Sequence, residues 1–125
     1  MDTALIRNLD RLDVPQIEAK YCESFGCQLR GLTFRKQIAE TEGLLLVQAH
    51  DSIINASIHM LGMWFDICVI WINAQGVIVD NRIARRWRLA YFPASPAKYV
   101  LETHPGRLQD YRIGDHVEIS VSDTG

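Results

Sequence analysis

Ile67-Cys68-Val69-Ile70-Trp71-Ile72 is apolar at every position and lies between Asp66 and Asn73. A strand that is apolar on both faces must be covered on both sides, so this run predicts an inner, central strand with a layer of chain above and below it. Asn73-Ala74-Gln75-Gly76 follows as a turn, with Gly76 available for positive φ. Beyond it Val77, Val79 and Asn81 alternate with Ile78, Asp80 and Arg82. Ile67 to Ile83 therefore reads as a β-hairpin.

The rest of the chain repeats the period of two. Ala4 to Leu9 alternates, and Ile17, Ala19 and Tyr21 fall on one face with Glu18, Lys20 and Cys22 on the other. Gly43 to Ala49 is a compact apolar strand. Ala97 to Thr103 sets Tyr99 and Leu101 against Lys98, Val100 and Glu102, and His104-Pro105-Gly106 predicts a type II turn after it. Gly114-Asp115 turns the chain into His116 to Val121. Between Ser24 and Gln37 the period changes, since Phe25, Leu29 and Leu32 share one helical face, and a short helix opened by Ser24 is expected. About seven strands and one short helix give a mainly β single domain over residues 1–125, an antiparallel β-sandwich or partly closed β-barrel.

A chain of 125 residues is long enough to bury a core without staples. Its formal charge of -2 excludes a domain that is basic overall, so nucleic-acid binding is disfavoured and would rest on a local patch. The 21 residues from Ser52 to Ile72 hold Asp66 as their one formal charge. A carboxylate in mid-span costs about 2.5–3.5 kcal/mol on insertion scales, and the flanking pattern is β-type, so the segment is core and no membrane span is expected. Cys22, Cys27 and Cys68 lack zinc-site spacing, and MDTALIRNLDRLD lacks the apolar centre of a signal peptide. The expectation is a cytoplasmic protein with reduced thiols, and Cys68 in its apolar strand should be inert.

Several motifs, in order, resemble the family known as domain of unknown function 192, or uncharacterised protein family 0127. They are Arg30-Gly31-Leu32 with Arg35, Glu42-Gly43-Leu44-Leu45-Leu46, and above all Ile58-His59-Met60-Leu61-Gly62-Met63-Trp64-Phe65. Val69-Ile70-Trp71-Ile72-Asn73 with Gly76, Ala97-Lys98-Tyr99-Val100-Leu101-Glu102 and Gly114-Asp115 continue the series, so that it covers about residues 17–121. The resemblance implies a β-rich, jelly-roll-like or barrel fold with no established activity. This chain departs from the family pattern at Asp66, where a proline is usual, and at Cys68 and Asn73, where aspartates are usual.

Four sets of residues can carry chemistry. His59 and Asp66, separated by the Gly62 bend, are the sharpest pair, because an imidazole held by a carboxylate makes a general base or a metal ligand. Met60, Met63, Trp64 and Phe65 are core or the wall of a pocket, with Trp64 the best candidate for exposure. Arg82, Arg85, Arg86 and Arg88, with Trp87 among them and Tyr91-Phe92 beyond, form the basic patch, an anion contact or a solvated edge. Arg35 and Glu102 suit a structural ion pair.

The first functional reading is a non-enzymatic binding or accessory module, holding a small molecule, sugar or peptide at His59, Met63, Trp64 and Asp66. The alternatives are a hydrolase or metal-assisted enzyme centred on His59 and Asp66, and a nucleic-acid contact through Arg82 to Arg88. No cofactor or metal is implied, since no second His or Cys stands at ligand spacing from His59. An exposed edge strand would support a homodimer.

Overall fold

The computed structural model describes residues 2–23, 37–88 and 90–123. Among these residues seven strands form one mixed sheet: β1 (Asp2–Asn8), β2 (Ile17–Cys22), β3 (Glu42–Ser52), β4 (Ile67–Ile72), β5 (Ile78–Ala84), β6 (Ala97–Thr103) and β7 (Val117–Asp123). Their order across the sheet is β5-β4-β6-β3-β2-β1-β7. Every strand predicted from alternation is present. The expected helix at Ser24–Gln37 falls, apart from Gln37, outside the described residues, as does Arg35.

The mainly β expectation holds, with two refinements. The strands lie in one sheet, and β2 runs parallel to β3, with Ala19 opposite Gly43 and Tyr21 opposite Leu45, while every other pair is antiparallel. A parallel pair needs a crossover connection, which the chain between β2 and β3 supplies. β4 is an inner strand, second from the edge, and β3 occupies the middle of the order.

β4 is buried throughout, and its two faces belong to two different cores. Ile67, Val69 and Trp71 join Leu44, Leu46, Ala56, Met60, Met63 and Val100 in one. Cys68, Ile70 and Ile72 join Ile6, Ile17, Leu45, Leu101, Tyr111 and Val117 in the other. The loop after β3 covers the first face, where Ala56 O accepts the Trp71 indole N–H at 2.7 Å. A 3-10 turn at Pro105–Asp110 covers the second.

That 3-10 turn replaces the expected type II turn at His104-Pro105-Gly106. His104 Nδ1 accepts the Gly106 N–H at 2.9 Å, Pro105 starts the turn with its fixed φ, and the side chain of Arg107 then pins it. Arg107 is only 4% exposed. It donates to Asp110 Oδ2 at 2.7 Å, to Glu40 O at 2.5 Å and to Pro15 O, and lies over the Tyr111 ring. One buried guanidinium thus joins three loops, which a charged residue in a turn does not announce.

The sheet does not close, but its edges approach at one end. Val117 N–H donates to Gly76 O at 2.8 Å and Ile78 N–H to Asp115 O at 2.9 Å, with Val77 and His116 forming an isolated bridge. The turn itself is held by Asn73 Oδ1, which accepts from Gln75 N–H and Val77 N–H, and by Gly76 at φ +83°. This is the partly closed form of a barrel.

Candidate functional site

Two loops meet beside the first core. Ile58 and Tyr91 exchange backbone hydrogen bonds of 3.0 and 2.8 Å, Met60 N–H donates to Arg88 O at 3.0 Å, and Met60 O accepts Trp87 N–H at 2.9 Å. The same carbonyl accepts Met63 N–H at 3.2 Å across the bend at Gly62, whose φ of +81° suits glycine. Met60 and Met63 are buried and anchor the first loop. The second is held by side chains of its neighbours: Asp66 Oδ1 accepts Arg86 N–H at 2.8 Å, and the Tyr91 hydroxyl accepts Arg85 N–H at 2.9 Å.

What this frame presents outward is a pair of indoles. Trp64 is 61% exposed and Trp87 50% exposed, and their rings meet edge to face, with centroids 5.4 Å apart and planes at 84°. Trp87 has φ +67°, a left-handed conformation that a bulky residue adopts only when its surroundings impose it. Arg85, Arg86 and Arg88 are exposed around it. Arg85 lies 3.5 Å from Asp66 Oδ2. Arg82, in contrast, is committed to structure: it donates to Asp80 Oδ2 at 2.9 Å and to Phe92 O at 3.0 Å and stacks over Trp71.

The residues singled out in the sequence therefore separate. Trp64 is exposed as expected. His59 is exposed too, but Asp66 makes its bonds to the arginine loop, and no His59–Asp66 hydrogen bond exists. Met63 supports the surface from within the core instead of lining it. The paired imidazole and carboxylate are elsewhere: His116 Nδ1 lies 2.9 Å from Asp10 Oδ2, which also accepts the His116 backbone N–H at 2.7 Å. These hydrogen bonds hold the Asp10 carboxyl below its ordinary value. The partners stand on the flanks of β1 and β7, too far apart in sequence for a spacing motif to find. Among the described residues no group of three His, Cys, Asp or Glu side chains is placed to hold a metal.

Two further groups stand out for burial. Glu102, on β6 opposite Val69 and Leu44, is 7% exposed, and burial pushes its carboxyl up to about 7. No hydrogen bond or ion pair reaches that carboxyl among the described residues; the expected partner, Arg35, lies outside them. Burial likewise pushes the Cys68 thiol up to about 12. The expectation that all three thiols are reduced is corrected, since Cys22 is disulfide-bonded. An open depression of about 850 Å³ along β1, β2 and β3, lined by Asp2, Glu18, Lys20 and Glu42 among others, shares no residue with the indole surface. No helix among the described residues is long and apolar enough to cross a membrane.

The model of the DUF192 family, described as an uncharacterized ACR, matches residues 8–120. A UPF0127 protein of Thermococcus gammatolerans is 36% identical over 103 residues, covering 81% of this chain and 65% of that protein. One of Pyrococcus furiosus is 34% identical over 105 residues, covering 82% of this chain and 87% of that protein. The chain spans just under two-thirds of the length of the Thermococcus gammatolerans and Thermococcus kodakarensis relatives, 65% and 66%. Among solved structures, a "putative transcription regulator" from Sinorhizobium meliloti superimposes with a TM-score of 0.82 at 16% identity, covering 95% of this chain and 94% of that one. A protein of unknown function from Novosphingobium aromaticivorans superimposes with a TM-score of 0.79 at 17% identity, covering 93% of this chain and 83% of that one. At that identity the likeness is one of fold.

Proposed function

Since the chain belongs to the DUF192 family, whose shared fold names no chemistry, we propose a function from its surface: a non-enzymatic binding module whose contact wall is the Trp64–Trp87 pair. The observation that carries this reading is the edge-to-face pair itself, two half-exposed indoles fixed on loops that are tied together by backbone hydrogen bonds. Exposed tryptophan is costly in water and strongly favourable at a contact, because its large ring orders few torsions on binding. The positive φ of Trp87 adds a strain that a purely solvated loop has no need to hold. Small molecules, sugars and apolar peptides are the ligand classes that fit. His59 borders the wall in sequence, and Met63 and Asp66 support it.

The test is a ligand screen read by the indole N–H resonances of the three tryptophans. Ligands should shift Trp64 and Trp87 and leave the buried Trp71 in place, and Trp64→Ala or Trp87→Ala should abolish the response while the fold is retained. Shifts confined to β1, β2 and β3 would place the binding function in the open depression and refute the reading. The hydrolase reading lost its supporting geometry with the missing His59–Asp66 bond. For location, the Cys22 disulfide supports an oxidising compartment rather than the cytoplasm; full alkylation of Cys22 in protein isolated under acid quench would overturn this. Self-association through the outer edge of β5 or β7 is read by sedimentation.

A further inference from the structure

Resting on that reading, we propose that the ligand is an acidic sugar, a pyranose bearing a carboxylate, with its ring on the indole corner and its charge on Arg86 or Arg88. Trp87 is flanked in sequence by these two arginines. Their backbones are fixed: Arg86 N–H is held by Asp66, and Arg88 O by Met60 N–H. Their side chains are exposed and carry no hydrogen bond or ion pair among the described residues, whereas Arg82 and Arg85 already face Asp80 and Asp66. The two unengaged forks are therefore the ones available to an incoming anion, and a guanidinium matches a carboxylate through two parallel hydrogen bonds.

The shape of the corner selects the other half of the ligand. Planes at 84° give one indole face beside the edge of the other. A chair-shaped ring fits such a corner, because its axial C–H bonds carry partial positive charge toward the negative ring face while its substituents run along the second indole. Flat nucleobases stack instead on successive parallel faces. The charge balance points the same way. The two unengaged arginines beside the indoles can pair two ligand charges on a chain of net charge -2, fewer than the about six to ten phosphates of an extended nucleic-acid contact.

The experiment uses the whole chain and four probes: tetragalacturonate, its methyl ester, cellotetraose and a four-nucleotide oligothymidylate. Binding is followed by tryptophan fluorescence and by the indole N–H signals. Tetragalacturonate should shift Trp64 and Trp87, and esterification should weaken it by roughly tenfold or more, the usual worth of one charge-assisted pair. Arg86→Gln with Arg88→Gln should cause the same loss and leave any binding of the ester unchanged. If cellotetraose or the ester binds as well as the acid, or if oligothymidylate binds more tightly, the acidic-sugar assignment is overturned while the indole surface stands as a binding wall. Failure of all four probes to move either indole overturns the assignment, and the broader screen then decides the wall itself.

Discussion

Glu102→Gln separates a buried, unpaired carboxyl from a paired one. The wild-type carboxyl has an ordinary value of 4.5 and is pushed up to about 7 by burial in the folded protein. Between those two values the folded chain keeps a proton that the unfolded chain has released, so stability falls as pH rises. The contribution is fully present below pH 4.5 and is lost as pH rises through about 7. At about 1.4 kcal/mol per pH unit, the interval amounts to about 3 kcal/mol. Glutamine keeps the size and polarity and cannot ionise. The variant should match the wild type at pH 4 and exceed it by about 3 kcal/mol at pH 8, measured by urea unfolding across the range. Carboxylates held low, such as Asp10 by its bonds to His116, titrate at lower pH and cancel between the two proteins. A stability difference that is constant with pH would refute the reasoning, and a wild type that instead gains on the variant as pH rises would show that a cation faces Glu102, with Arg35 the expected one.

Arg107→Met should destabilise the fold by about 3 kcal/mol at pH 7 in chemical unfolding, because Pro15 O and Glu40 O lose a buried donor and Asp110 its partner. Gly76→Ala should cost about 2 kcal/mol, since the residue has φ +83° and an added Cβ would stand 2.9 Å from Val117 O; Gly114→Ala, at φ +94° but with open space around it, should cost less in the same assay. Asp66→Asn should raise hydrogen exchange at the Arg86 amide while changing global stability by less than about 1 kcal/mol, as expected of a partly exposed anchor. Cys68 should resist alkylation at pH 8 in the native protein and react once it is unfolded, because burial keeps its thiol protonated.

The strands are legible in the sequence because alternation is a local signal, and β4 declares its two covered faces through six consecutive buried residues. Pairing is less so. That β2 lies parallel to β3 depends on the crossover between them and on which distant strands compete for each edge, neither of which is a property of a short window. The turn after β6 departs from the type II expectation because its geometry is decided by Arg107, whose partners Pro15 and Glu40 come from far along the chain. At the candidate site the exposed Trp64 and the arginine cluster can be seen in sequence, but the contact of Trp64 with Trp87 cannot, since it is made by a ribbon of loop backbone outside the seven-stranded sheet. The same is true of His59: proximity in sequence suggests Asp66 as its partner, while the local backbone gives that carboxylate to Arg86.

The β1 and β7 strands are neighbours in the sheet although they stand at opposite ends of the element order, with Asp2 opposite Asp123 and Asn8 opposite Val117. During synthesis β1 therefore emerges long before its partner and keeps one edge unpaired until residues 117–123 leave the ribosome. At usual elongation rates that interval is on the order of ten seconds. Through it, the strand that carries the apolar side chains of Ala4 and Ile6 has an open edge to which a neighbouring nascent chain can pair. Yield in the cell should thus respond to holdase chaperones that mask an unpaired strand, and to how densely ribosomes load the message, as well as to the stability of the finished sheet.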